Sequence, residues 1–460
     1  MASVAATGGL LFGFDTGVIS GAQNFLQDPA GWGVSDSQLE WITTAVLVGA
    51  VLGAAFSGRV ADLLGRKKVI LYTAMIFAVG AIWTGAAGSV SSLVTGRMVI
   101  GVAIGVASFT VPLYISEVSP AGNRGSLVSL NQLMIAIGIL VSYISDYLIA
   151  NDANPYSWRW MFYVGVFPAL VLFIGMIFLP ETPRWLIKKG LAEKGRKILS
   201  KVERPELVDK AIRDIHLDIL RESETAGWRG LFKPWLRNPL MIAVGIMFFQ
   251  QMTGINTIIY YSPRIFRIAG IESNALTILP SVILGIFIVI CTVISVLIID
   301  RVGRRPLFFV GLSGMVAGLI GIGLAFHFEE QLGDSLKYIA MICMLFYVGF
   351  FSVSLGPLGW LILSEVFPLK VRGIGMSMGS LSNWLFNGVI AFTFLKLVNA
   401  LTPSGAFWLY ALLGIIALIW GYRYIPETKG VTLEQIEEHW RKRRPPAALN
   451  RMHRRQGSGI

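Results

Sequence analysis

Long apolar runs, separated by short stretches that gather the charged residues, set the pattern of this chain. A run of 18 or more residues with few charges is long enough to cross the hydrocarbon core of a bilayer as an α-helix. Twelve such runs are read, at 1–27, 41–58, 69–96, 98–116, 125–145, 160–180, 238–263, 273–299, 306–328, 338–364, 373–395 and 397–422. The last two are divided only by Lys396, with Thr402-Pro403-Ser404-Gly405 supplying turn chemistry. The pattern predicts an all-α membrane protein of twelve transmembrane helices. A polar segment at 181–237 separates two six-helix halves, 1–180 and 238–425, and a tail follows at 426–460. The segment has apolar positions at helical spacing (Ile198, Val202, Ile212, Ile215, Ile219) and is read as several short helices. The tail opens with an amphipathic turn at 431–434 and is expected to end basic and disordered.

Composition agrees. Of 460 residues 54% are hydrophobic and only 14% charged, against roughly 25% charged in soluble domains. The net charge of +12 raises the question of nucleic acid, and its placement answers it. If both termini and the 181–237 segment are cytoplasmic, 33 of the 39 Lys and Arg fall on that side, leaving Arg97, Arg159, Arg264, Arg267, Lys337 and Lys396. That is the asymmetry of a multi-pass membrane protein, not a nucleic-acid footprint. The first basic residue is Arg59, so no charged leader precedes the first run and no cleaved signal peptide is expected. Cys291 and Cys343 lie in apolar runs, and the four histidines lack metal-ligand spacing. There is no GxxxxGK[ST] loop for ATP. Neither a cofactor nor a metal is expected, and an enzyme is not the reading.

The halves repeat. Glu117-Val118-x-Pro120-x-x-x-Arg124-Gly125 returns as Glu365-Val366-x-Pro368-x-x-x-Arg372-Gly373, 248 residues on. Asp62-x-x-Gly65-Arg66-Lys67 returns as Asp300-x-x-Gly303-Arg304-Arg305 after 238, and Pro180-Glu181-Thr182 as Pro426-Glu427-Thr428 after 246. A duplicated six-helix unit, pseudo-symmetric in plan, is how secondary transporters are built. The acidic and basic residues Asp62, Arg66, Glu117, Arg124, Glu181, Asp300, Arg304, Glu365, Arg372 and Glu427 are therefore read as a cytoplasmic gate. Glu117 is expected near Arg372, and Glu365 near Arg124, when that side is closed.

On these motifs, with Pro180-Glu181-Thr182-Pro183-Arg184-Trp185-Leu186, Gln250-Gln251-x-x-Gly254-x-Asn256 and Pro426-Glu427-Thr428-Lys429-Gly430, the chain resembles the sugar porter family of the major facilitator superfamily. The resemblance implies a sugar site at the midplane between the halves, lined by Phe12, Gln132, Gln250, Gln251, Asn256, Trp360 and Asn383. The chemistry suits the task. An amide both donates and accepts, as a sugar hydroxyl does, and an indole face covers the apolar ring carbons. Gly254, Pro263 and the Gly356-Pro357 pair predict that the two spans holding them are bent or broken at the site.

Asp15 sits within the first run, and an ionisable residue at that depth is a functional hypothesis by default. Its natural partner is Arg97. The resemblance implies that this pair couples proton to sugar, since passive facilitators of the family have Asn in place of the Asp. Asp15 is read as the only carboxylate deep inside any span. Ile139 and Asn383 stand where the xylose branch has Gln, which favours a hexose, glucose first. The expected protein is thus a proton-coupled sugar importer, monomeric, multi-pass in a plasma membrane (a bacterial inner membrane) with both termini cytoplasmic. Its partners are sugar, proton and lipid. The alternatives are a passive facilitator, a xylose carrier, or a sugar sensor, the last disfavoured by the short tail.

Overall fold

The computed structural model describes residues 1–119, 124–203, 205–223, 228–368, 371–431 and 433–449, with the side chains at 124–126, 128–129, 214, 218–223, 228–229, 300, 433–434 and 447 left out. Among these residues every regular element is a helix. The chain divides into two compact units, Met1–Glu224 and Thr225–Ile460, so the division falls inside the 181–237 segment.

The first unit holds α1 (Ala2–Leu26), α2 (Asp36–Leu64), α3 (Arg66–Ala86), α4 (Val90–Val118), α5 (Arg124–Ile149), α6 (Ser157–Val164), α7 (Val166–Phe178), α8 (Pro183–Lys188), α9 (Ala192–Leu199) and α10 (Pro205–Ser223). Helix α2 starts on a capping box, in which the Gln38 N–H donates to Ser35 Oγ and the Ser35 N–H to Gln38 Oε1. It stops at Gly65, whose φ of 94° lets α3 begin in a new direction. Two pairs of helices meet backbone to backbone. A Cβ on Gly13 of α1 would lie 2.0 Å from the Ile135 carbonyl oxygen of α5, and one on Gly138 2.4 Å from that of Leu10. Gly49 and Gly53 of α2 face the Met98 and Val102 carbonyls of α4 in the same way, and Gly101 and Gly105 of α4 face those of Val46 and Ala50. Lipid tails give apolar side chains no reason to leave them for one another, so close backbone approach at small residues is what joins such helices. Helices α8–α10 enclose a small core of their own, with Ile187, Leu199 and Val208 packed by Ala211, Ile212 and Ile215.

The second unit holds α11 (Trp228–Leu231), α12 (Arg237–Met252), α13 (Ile255–Ile268), α14 (Leu279–Val302), α15 (Arg304–His327), α16 (Glu329–Leu332), α17 (Leu336–Val353), α18 (Leu355–Glu365), α19 (Arg372–Tyr424) and α20 (Leu433–Arg441). Breaks shape it, among them a kink at Tyr261 inside α13, two residues before Pro263. Gly254, with φ 85°, parts α12 from α13, and Ser354 parts α17 from α18 two residues before Gly356. The 53-residue α19 breaks at Thr402, with φ 64°. There Thr402 Oγ1 accepts the Gly405 N–H at 3.4 Å, and Pro403 takes the first position of the new helix. Among the described residues eleven helical stretches are long and apolar enough to span a membrane, and this break makes the longest of them two. The twelve runs of the sequence are thus found, the last boundary falling at Thr402.

The apolar and polar sides of these helices are placed in reverse of a water-soluble fold. Leu148, Phe167, Phe178, Ile342 and Ile419 are more than 60% exposed, while Asp15, Arg97, Gln250 and Asn387 are buried. Lipid, not water, is the solvent such an exterior suits.

Candidate functional site

In the first unit, Asp15 lies in mid α1 and is ion-paired to Arg97 of α4. Both are buried. Arg97 is held from further sides: its Nε reaches the Ile42 carbonyl of α2 at 3.5 Å, and its guanidinium lies over the Phe162 ring, 5.7 Å from the centroid. The predicted pair therefore exists, with the arginine fixed from three elements. Two other predicted residues, Phe12 on α1 and Gln132 on α5, are partly exposed. Ile139 is buried, and its backbone packs against Gly13.

Asp15 is not alone as a buried carboxylate, although the others lie near helix ends rather than deep inside a span. Glu40 in the first turns of α2 and Asp146 in α5 are also fully buried. Both fell just beyond the apolar runs read from the sequence, because α2 and α5 extend past those runs.

In the second unit, the break between α12 and α13 sets out the predicted amides. Gln250 Nε2 donates to the carbonyls of Leu355 and Gly356, each at 2.9 Å, and Gln250 Oε1 accepts from Asn383 Nδ2 at 2.6 Å. Its polar atoms are thus engaged in fixing the start of α18 to α12 and α19. Gln251 differs. Its Oε1 accepts from Asn256 Nδ2, and its Nε2 and the Asn256 Oδ1 have no partner among the described residues. One donor and one acceptor thus stay open on this pair. Gly254 is required here twice over: its φ is left-handed, and a Cβ would fall 2.7 Å from the Tyr410 ring. Tyr347 Oη donates to the Thr253 carbonyl at 2.9 Å, holding the break. Trp360 lies on α18 and is partly exposed.

The sequence reading missed Tyr260 and Asn387, which hydrogen-bond each other at 3.3–3.4 Å beside these amides. Asn387 is one helical turn beyond Asn383 on the same face, and that spacing was the available signal.

The charged motifs form matching networks, one in each unit. In the first, the Glu181 carboxylate accepts the N–H groups of Arg66 at 3.0 Å and Lys67 at 3.1 Å, capping α3 where Gly65 frees them. Arg66 spans Glu117 at 3.1 Å through both Nε and Nη2 and Asp62 at 2.9 Å, and Thr182 Oγ1 donates to Glu117 at 2.6 Å. In the second, Glu427 accepts the N–H groups of Arg304 and Arg305, both at 3.1 Å. Arg304 meets Glu365 at 2.9 Å, and Thr428 Oγ1 donates to Glu365. Negative charge at a helix N-terminus is favoured by the exposed N–H groups there. Burial pushes the Glu181 carboxyl up from its usual range, against the N–H donors and the Arg66 charge that pull it down. The threonines of the repeated Pro-Glu-Thr were not read as network members. Arg372 donates to the Phe367 carbonyl at 3.4 Å, and the side chains of Arg124 and Asp300 lie outside the described residues.

Residues 1–440 match the family described as sugar (and other) transporter. The chain is 37% identical over 446 residues to a galactose-proton symporter of Escherichia coli, covering 96% of this chain and 94% of that one. It is 38% identical over 436 residues to a D-xylose transporter of Levilactobacillus brevis, covering 94% and 93%. Among solved structures, the inward open conformation of the xylose transporter XylE from E. coli superposes with a TM-score of 0.82 at 32% identity, covering 95% of this chain and 99% of that one.

Proposed function

Because the chain belongs to the sugar transporter family of the major facilitator superfamily, we propose that it imports a monosaccharide together with a proton by alternating access. The observation that carries the proton is the Asp15–Arg97 pair, two opposite charges buried on neighbouring helices of one unit. Such a pair is weak evidence for stability, since the desolvation of both ions offsets their attraction. Its value is in switching: a carboxylate that loses its guanidinium in an apolar place takes a proton instead.

The open Gln251 donor and Asn256 acceptor supply what a sugar hydroxyl needs. A hexose, glucose first, is favoured by Ile139 and Asn383, which narrow the polar lining where the pentose branch of the family carries amides. The charged networks are read as the cytoplasmic gate, with both termini on that side of a bacterial inner membrane. The carrier acts as a monomer.

The test is uptake by the full chain in proteoliposomes, across a panel of sugars, with and without an imposed proton gradient. Moving one proton charge inward releases roughly 2.3 kcal/mol per 100 mV, enough for about a 50-fold sugar gradient at about 1.4 kcal/mol per tenfold. Asp15→Asn should keep sugar exchange and lose uphill uptake. Wild-type uptake that never responds to the proton gradient would establish a passive facilitator instead.

A further inference from the structure

Asp146 lies in the last turn of α5, apart from the residues assigned above. It is fully buried and faces α1 at Gly21, where a Cβ would come 2.5 Å from its Oδ2. The Gly21 main-chain N–H of α1 is close to it, without the geometry of a hydrogen bond. Neither carboxyl oxygen has a hydrogen-bond partner among the described residues.

Among the described residues of the first unit, no cation is at hand to neutralise it. Helices α1, α4 and α6 pack against α5. Their titratable groups are Asp15 on α1, Arg97, Tyr114 and Glu117 on α4, and Arg159 and Tyr163 on α6, with Tyr143 and Tyr147 on α5 itself; Arg124 begins α5, about 33 Å along the helix from Asp146. Arg97 is taken by Asp15. Arg159 donates to the carbonyls of Gly85 and Ala87 at 2.9 and 2.7 Å and stacks on Trp158. Glu117 is held by Arg66, and Tyr114 donates to the Pro180 carbonyl.

An isolated carboxylate in an apolar interior is far costlier than the neutral acid, so such a group keeps its proton. We propose that Asp146 carries a proton at neutral pH and is a second proton-binding site of the first unit, separate from Asp15. The two sites share α1: Gly21 is six residues beyond Asp15, about 9 Å along the helix. A proton on Asp146 reaches water only if α1 and α5 separate at Gly21, so it exchanges slowly. This inference rests on the α1–α5 packing and not on coupling at Asp15, so either can fail without the other.

The test is infrared spectroscopy of the full chain in liposomes at neutral pH, with aspartate carboxyls labelled with carbon-13. Exposed aspartates are ionised there, their usual value being about 3.9, so a labelled carboxylic-acid band reports buried ones. In Asp15→Asn that band should be present, shift slowly in heavy water, and be lost when Asp146→Asn is added. Asp146→Ser, with less bulk against Gly21, gives the same reading if Asp146→Asn does not accumulate. Absence of a labelled acid band in Asp15→Asn, or its survival in the double variant, would overturn the proposal.

Discussion

Gln250 and Gln251 are neighbours of one residue type, and the sequence treats them alike. Their surroundings separate them. Gln250 spends its donors on the Leu355 and Gly356 carbonyls and its acceptor on Asn383, so its removal leaves buried partners unpaired within the protein. Gln251 keeps an open donor. We therefore expect Gln251→Ala to weaken sugar binding by about 1–3 kcal/mol, the usual range for an unpaired buried polar group, with little change in thermal stability. Gln250→Ala should lower the melting temperature as well. Equilibrium binding and thermal melting of both variants in detergent check this, and equal melting losses would contradict the division of labour. Residue types and spacing showed which amides gather at the site, but not which of them the fold itself consumes. That depends on where α18 begins, and Ser354, the break residue, carries no Pro or Gly signal of its own.

At the scale of elements, the breaks were legible where chemistry announces them: Gly254 in one span and Thr402-Pro403 in another. Helix ends were less so, because apolarity fades before helical hydrogen bonding does. Asp146 was lost at such an edge. The tail shows a related limit. The helical pattern pointed to an amphipathic turn, and the structure makes it α20, seated by Trp440, whose Nε1 donates to the Val366 carbonyl at 3.0 Å. His439 beside it is buried, and that burial holds its imidazole below the ordinary range. The folded tail thus binds fewer protons than the free one. The stability of its docking is full above the ordinary value of about 6.5 and is lost as pH falls below it. The protection of residues 433–441 against hydrogen exchange, corrected for the intrinsic rate at each pH, should fall as pH is lowered from 7.5 to 5.5, and His439→Gln should flatten that fall. A fall unchanged in His439→Gln would place the pH response elsewhere.

At the scale of the whole molecule, the repeat gave the two-fold plan from three motifs at nearly one displacement. It did not give the partners within a unit, since motif matching says which residues correspond and not which ones touch. Arg66 with Glu117, and Arg304 with Glu365, close their networks within a unit. Each unit likewise caps its own third or ninth span, by Glu181 or Glu427. Every one of these bonds survives a cut in the chain between residues 224 and 225. The peptide link there is then a means of synthesis and delivery, dispensable once both pieces are in the membrane. Fragments 1–224 and 225–460, made as separate polypeptides in one cell, should each insert and together restore sugar uptake, while neither does so alone. Degradation of both fragments even when made together would show that a unit needs its covalent neighbour to fold. If they do assemble, the present single gene is the record of a joining event rather than a requirement of the structure it encodes.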